Sequence, residues 1–347
     1  MKAIVITGPR KIHLADLPIP TADSKSVVLK TTAAALCGSD MHVYRGTETL
    51  NSYDFTMGHE VTGIITEIGS EVKKFKVGDK VVCPFTISCG DCYFCQNGYS
   101  SRCVQSTLFG SPKLQGCQAE YVAIPLADST LSLAPPGVDD SILPLMADIF
   151  PTGYFAAQRF LKNLPSEKLA ETTVAVVGCG PVAQCAIISA LSFHPKAVFA
   201  LDSVPERLDQ ASKLGAIALN YEDERTKETI LNATQGRGVD IALEVVGAPS
   251  ALQLSYDLVR PFGYISSVGV HNSRIPFSAT DAYGKNVTIA FGRCPVRSIF
   301  AEALEVLRQN KNKLDGFVDA IMPVEQYQQA YDLFDAHKAR KIVFTFN

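Results

Sequence analysis

The sequence has no surplus of charge of either sign. Lysine and arginine total 32 against 35 aspartate and glutamate, a formal net charge of −3. A general nucleic-acid binder displaces phosphate counterions with an excess of basic groups, so nucleic acid is not an expected partner. Long hydrophobic runs are also missing. A membrane-spanning helix needs about 20 apolar residues in succession, and the richest stretch here, 174–193, is broken by Gly178, Gly180 and Pro181. The opening residues 1–9 read as a short strand and a turn. They lack the apolar core and small-residue cleavage site of a secretory signal. No internal repeat or low-complexity segment is visible. The expectation is a soluble, cytoplasmic protein with no membrane partner.

Enough apolar material is present to fold. The 347 residues correspond to two domains or three. Hydrophobic residues make up 47%, which is sufficient to offset chain entropy and excludes a disordered chain.

The ten cysteines are unevenly spread, and four of them form Cys89-x2-Cys92-x2-Cys95-x7-Cys103. A disulfide-stapled secreted protein is short and carries a signal, and this chain fits neither description. Two-residue gaps let successive thiolates face one point, and zinc takes four such ligands tetrahedrally. With all four positions filled by sulfur, no place is left for water, so the expected site is closed and structural. An iron–sulfur cluster also uses closely spaced thiolates, but its bacterial motif ends differently. A nucleic-acid zinc ribbon shares the ligands but not the neutral charge.

The pattern changes along the chain. Up to about residue 150, short β-branched segments alternate with glycine and proline turns: 26–32, 61–69, 80–84 and 118–124. This predicts an all-β, barrel-like domain. A helical period then covers 151–161. From 172 onward apolar strands at 172–177, 197–201, 239–246, 263–268 and 287–291 alternate with helical segments, among them 182–191 and 205–214. Strand–helix alternation with continuous apolar strands predicts an α/β domain with a doubly wound parallel sheet. After Phe291 an amphipathic helix at 299–309 and a strand at 341–346 return to the first domain. The expected division is 1–150 with 292–347, and 151–291.

Gly178-Cys179-Gly180-Pro181-Val182-Ala183 follows an apolar strand and opens a helix. It fits G-x-G-x-x-G/A. The first glycine makes the tight turn, the second lets a pyrophosphate approach the backbone, and the last small residue allows helix and strand to pack closely. The helix N-terminus offers unpaired N–H groups to the phosphates. Asp202 ends the next strand, roughly 20 residues on, where a carboxylate binds the adenosine ribose hydroxyls. A carboxylate there repels a 2′-phosphate and favours NAD over NADP; Arg207, nearby, softens that preference.

Cys37 and His59 are harder to read. Taken alone, Cys37 is either a zinc ligand or a small buried apolar side chain, and His59 is either a ligand or an ordinary histidine. Together, however, Cys37-x-Ser39-Asp40-x-x-His42, Gly58-His59-Glu60, the four-cysteine lobe, Gly78-Asp79-Lys80-Val81-Val82 and the dinucleotide fingerprint occur in one order. With these motifs the sequence resembles the zinc-dependent alcohol dehydrogenases of the medium-chain dehydrogenase/reductase family, over essentially its whole length.

That resemblance implies a GroES-like catalytic domain, a Rossmann domain, two zinc ions per subunit and NAD. The catalytic zinc is implied at Cys37, His59 and Asp148; the last stands where liver-type enzymes have cysteine, as in the secondary-alcohol and formaldehyde dehydrogenase branches. Glu60 is implied beside the metal, and Asp40 as the residue that orients His59. Ser39 and His42 are implied as a proton relay, and Phe85 as a wall of the substrate pocket. Val182 is implied behind the nicotinamide, with Val268, Val270 and Phe291 at its carboxamide and Lys341 or Arg340 at the pyrophosphate. Gly38 departs from the family, many members of which place Arg or His there. The implied activity is hydride transfer between NAD and a secondary or medium-size alcohol or its ketone, by a homodimer or homotetramer. The alternatives are a polyol or formaldehyde dehydrogenase and, more remotely, a non-catalytic dinucleotide-binding protein.

Overall fold

The computed structural model describes residues 1–48 and 50–346. These form two compact units, Met1–Asp148 with Pro295–Asn347, and Ile149–Cys294.

In the first unit the strand Val27–Leu36 is the organising element. It pairs antiparallel with three strands, Glu60–Ile68, Tyr121–Ile124 and Ile342–Thr345. The sheet continues through Lys80–Cys83 to Ser132–Leu133 on one side and Ala320–Pro323 on the other. Because apolar clusters lie on both sides, most of Val27–Leu36 is buried and the simple alternation of a half-exposed strand is lost. Two register shifts bend it, between Val28 and Leu29 and between Thr31 and Ala33, and such bulges increase local twist. A smaller sheet joins Lys2–Gly8 to Lys11–Asp16 and Phe55–Thr56. Leu36, Met41, Met57, Tyr331 and Phe344 pack together in one core, and Leu29, Val61, Ile65, Val81 and Phe109 in another. Each fully buried side chain of this kind contributes roughly 1.5–3 kcal/mol.

The second unit is a six-stranded sheet. Its order is Ile217–Asn220, Ala197–Asp202, Thr173–Val177, Val239–Glu244, Val259–Ser267, Thr288–Phe291, all parallel. The chain winds outward from the first strand, Thr173–Val177, and the order reverses beside it, which places the ligand crevice at the carboxyl ends of the central strands. Every residue of Thr173–Val177 is buried, as both faces of a covered parallel sheet require. The edge strand Thr288–Phe291 is exposed at both ends. The helix Pro181–Leu191 begins on a proline, whose fixed φ suits the first turn and whose missing N–H has no partner to lose there.

Several expected elements differ in extent. The segment 118–124 forms a strand only at Tyr121–Ile124, since the backbone at 118–120 bonds instead to Lys2, Ile4 and Met57. The return helix starts earlier, at Val296, and the last strand is Ile342–Thr345.

Candidate metal centres and dinucleotide site

The four cysteines of the 89–103 lobe bring one sulfur each within 4.8 Å of the others. Cys103 Sγ lies 3.5 Å from Cys89 Sγ, too far for a disulfide. The backbone around them donates to sulfur. Cys89 N–H reaches Cys103 Sγ at 3.2 Å, Cys92 N–H reaches Cys89 Sγ at 3.4 Å, and Gln105 N–H reaches Cys103 Sγ at 3.3 Å. N–H donation from Cys95 and Val104 pulls the Cys92 thiol down to about 6. Hydrogen bonds to the charged form favour thiolate. Burial has the opposite effect on two neighbours, pushing Cys95 up to about 12 and raising Cys103, so it is the set of four converging sulfurs that fits a structural zinc.

The second group gathers Cys37, His59, Glu60 and Asp148, again with one donor atom from each inside 4.8 Å. Three different elements deliver it. Cys37 caps the helix Gly38–Arg45, Glu60 starts its strand with His59 just before it, and Asp148 follows the short 3-10 turn Leu143–Ala147. His59 Nδ1 lies 3.0 Å from Asp40 Oδ1 and its Nε2 3.5 Å from Asp148 Oδ2; Cys37 Sγ lies 3.8 Å from that same oxygen. Burial alone lowers the His59 pKa, but the charges of Asp40 and Cys37 outweigh it and hold the ring well above its ordinary value. Burial raises the Glu60 carboxyl, against the pull of Lys341. Glu60 is fully buried, Lys341 Nζ pairs with its Oε2, and its Oε1 has no hydrogen-bond partner. An orphaned buried carboxylate oxygen is costly. One thiolate, one imidazole nitrogen and carboxylate oxygens around it are a donor set that suits zinc.

Beyond the donors runs a buried chain. Asp40 Oδ2 accepts the Cys37 N–H at 2.9 Å and the Gln118 amide at 3.4 Å, and Tyr331 Oη donates to Gln118 Oε1 at 2.7 Å. Sequence reading found Asp40 but not Gln118 or Tyr331, which lie 213 residues apart and share no local motif. Ser39 and His42 both lie on the helix Gly38–Arg45 and are exposed. Ser39 Oγ is 3.9 Å from Cys37 Sγ, and His42 Nδ1 is 3.3 Å from Thr47 Oγ1. Phe85 is buried, with its ring edge-on to His59 at 6.4 Å between centroids.

In the other unit a cavity is lined by Gly178, Gly180, Pro181, Val182, Ala183, Asp202 and Arg207 together with Val245 and Val246. Gly178 has φ +96°, and a Cβ there would lie 2.6 Å from Val246 Cγ2, so this position requires glycine. Asp202 Oδ2 accepts the Cys179 N–H at 2.8 Å, and its Oδ1 accepts the N–H groups of Ser203 and Val204. The acid is thereby fixed against the glycine turn, with Arg207 3.6 Å away. Val268 and Val270 follow the strand Val259–Ser267, and Phe291 ends the neighbouring strand; Val270 and Phe291 are exposed.

One expectation is corrected. Lys341 does not offer its ammonium to a pyrophosphate, because that group is buried against Glu60, and the lysine is only 1% exposed. The alternative, Arg340, is engaged by Asp319. A lysine stem long enough to cross the interior brings the charge to a carboxylate that would otherwise be unpaired.

No helix among the described residues is long and apolar enough to cross a membrane. Residues 23–134 match the alcohol dehydrogenase GroES-like domain, and residues 181–309 match the zinc-binding dehydrogenase family. The chain is 50% identical to zinc-type alcohol dehydrogenase B of Aspergillus flavus over 347 residues, covering 99% of this chain and 81% of that protein. Its structure resembles alcohol dehydrogenase TADH from Thermus sp. ATN1 with a TM-score of 0.91 at 29% identity, covering all of both chains. It also resembles an Escherichia coli CFT073 alcohol dehydrogenase solved in complex with the cofactor NADH, with a TM-score of 0.86 at 25% identity, over 100% of this chain and 99% of that one. With both family models matched and half of its residues shared with a relative over almost its whole length, the chain belongs to the zinc-type alcohol dehydrogenases of the medium-chain dehydrogenase/reductase family.

Proposed function

We propose that this enzyme uses NAD to oxidise a secondary or medium-size alcohol, or to reduce the matching ketone, with its catalytic zinc held by Cys37, His59 and Asp148 and with Glu60 beside it. The observation that carries the reading is the convergence of one donor atom from each of those four residues within 4.8 Å, with one oxygen of buried Glu60 left without a hydrogen-bond partner. Zinc supplies Lewis-acid polarisation of the substrate hydroxyl, and NAD supplies the hydride acceptor.

The chain's own residues do the rest. Asp40 holds His59 in the tautomer that presents Nε2 to the cluster. Ser39, next to Cys37, accepts the substrate proton, and exposed His42 releases it to water. Buried Phe85 gives the pocket an apolar wall. Val182 stands behind the nicotinamide, and the backbone at Val268, Val270 and Phe291 holds its carboxamide. Asp202 supports NAD over NADP, because a second carboxylate–phosphate repulsion would accompany the 2′-phosphate. The structural relative that holds NADH supports the same choice. A homodimer or homotetramer is the assembly expected with this reading.

The test is nicotinamide absorbance with purified enzyme. Primary, secondary and polyhydric alcohols and formaldehyde are offered with NAD and with NADP, before and after chelation. Chelator-sensitive reduction of NAD, fastest with secondary alcohols, supports the proposal. A preference for sorbitol-like substrates or formaldehyde overturns the substrate class, and a preference for NADP overturns the cofactor.

A further inference from the structure

A polar cluster in the second unit is used by none of the roles above. Glu244, at the end of the strand Val239–Glu244, is fully buried. Its Oε1 accepts the N–H groups of Val246 at 2.9 Å and Gly247 at 2.7 Å. Its Oε2 accepts Ser267 Oγ at 2.7 Å and lies 2.9 Å from His271 Nε2, which is itself 3.0 Å from Ser267 Oγ. The network closes when both Oγ–H and Nε2–H donate to the carboxylate. A buried carboxylate is tolerated when it is satisfied in this way.

The cluster encloses a particular piece of backbone. Ser267 and His271 flank residues 268–270, so one carboxylate ties down both ends of that loop and the facing loop 245–247. The two loops touch through their backbones. A Cβ on Gly269 would stand 2.1 Å from Gly247 N, and one on Gly247 (φ +83°) would stand 2.6 Å from Val270 O. The His271 ring also meets Phe291 edge-on at 5.8 Å, which links the loop to the end of the next strand. From the far side Arg159 donates to Ala290 O at 2.5 Å and Gly292 O at 3.3 Å.

We propose that His271 is a positioning residue for the nicotinamide end of the cofactor: anchored on Glu244 and Ser267 and packed edge-on to Phe291, it fixes the relative placement of the two backbone segments that hold the carboxamide. This rests on the reading of Val268, Val270 and Phe291 as those segments. The histidine touches no reacting atom in this role. It lowers the freedom of a half-buried loop before binding, so less order has to be imposed by the cofactor.

The experiment compares NADH with ADP-ribose, which carries the same adenosine and pyrophosphate but no nicotinamide. Affinities of the whole enzyme for both are measured by calorimetry for wild type, His271→Ala, His271→Gln and Glu244→Gln. His271→Ala is expected to weaken NADH by about tenfold, the scale of losing a hydrogen bond to a charged group, and to leave ADP-ribose unchanged. His271→Gln, which keeps a donor for Glu244, is expected to recover part of the loss, and the KM for NAD is expected to move more than kcat. Equal weakening of both ligands, or no change in either, overturns the positioning role. A wild-type enzyme that binds ADP-ribose as tightly as NADH instead overturns the underlying carboxamide reading, and the proposal with it. If Glu244→Gln fails to fold, the two His271 variants still decide the question.

Discussion

His59 and Asp40 are locked together, with Nδ1 and Oδ1 3.0 Å apart and side chains only 6% and 4% exposed. The bond chooses the tautomer, because a ring that donates from Nδ1 has only Nε2 left as a metal donor. Partners of this kind carry much of a metal site's affinity. Asp40→Asn is expected to weaken binding of the zinc proposed at Cys37, His59 and Asp148 by about 10–100-fold, with the four-cysteine site unaffected. Competition with a chromophoric chelator measures it, and a single unchanged affinity for both ions would show that the carboxylate orients nothing.

The buried pair of Lys341 and Glu60 predicts an asymmetric mutational response. Lys341→Met removes one charge and leaves the other buried, and the expected loss is roughly 3–5 kcal/mol of stability. Removing the second charge as well, in Lys341→Met with Glu60→Gln, is expected to restore most of it. Urea unfolding of the single and double variants checks this. Equal losses in both would mean that packing of the lysine stem, and not charge, is responsible.

The four-cysteine lobe predicts separable metal contents. Cys103→Ser is expected to lose one of the two zinc ions and to lower the melting temperature, because a structural zinc contributes folding energy directly. Atomic emission on the purified variant counts the ions. Retention of both would remove the lobe from the list of metal sites.

A pH effect is expected from Asp240. Burial raises its carboxyl, but Arg260 and the Thr173 backbone and hydroxyl donors outweigh this, and the net pKa lies below the ordinary value. The bonds are short: Arg260 Nε at 2.7 Å, Thr173 N at 2.8 Å and Thr173 Oγ1 at 2.9 Å. A depressed folded pKa means that the stabilisation is complete above the unfolded value of about 3.9 and is lost as pH falls through the lower folded value. Asp240→Asn is expected to cost about 1 kcal/mol at neutral pH, given its partial exposure. It should also flatten the acid limb of stability below about pH 4. Thermal melts from pH 2 to 7 test it; an unaltered acid limb would exclude Asp240 as a contributor.

Local chemistry was legible in the sequence and distant pairing was not. Cys89 to Cys103 and Gly178 to Ala183 each carry their meaning within a few residues, because thiolate wrapping and a phosphate turn are short-range geometries. Cys37 and Asp148 are 111 residues apart, and only their place in a family pattern joined them. Lys341 was misplaced for a similar reason. Nothing in the neighbouring residues reveals that its long side chain turns inward to Glu60. The cluster of Glu244, Ser267 and His271 depends on two parallel strands ending side by side, a register that neither strand's composition states. The edge strand Ile217–Asn220 was too short, and the helix Arg225–Ala233 too polar, to stand out by periodicity.

The first unit is assembled from two stretches of chain separated by the whole of the second. Ile342–Thr345 lies between Ala320–Pro323 and Val27–Leu36, and Tyr331 and Lys341 reach Gln118 and Glu60. During synthesis residues 149–294 leave the ribosome before the second stretch of the first unit does. Glu60 therefore lacks its counter-charge until Lys341, 281 residues further along the chain, has emerged. A metal ion captured by the Cys37, His59, Glu60 and Asp148 group before that point would meet a different set of neighbours from one captured after it.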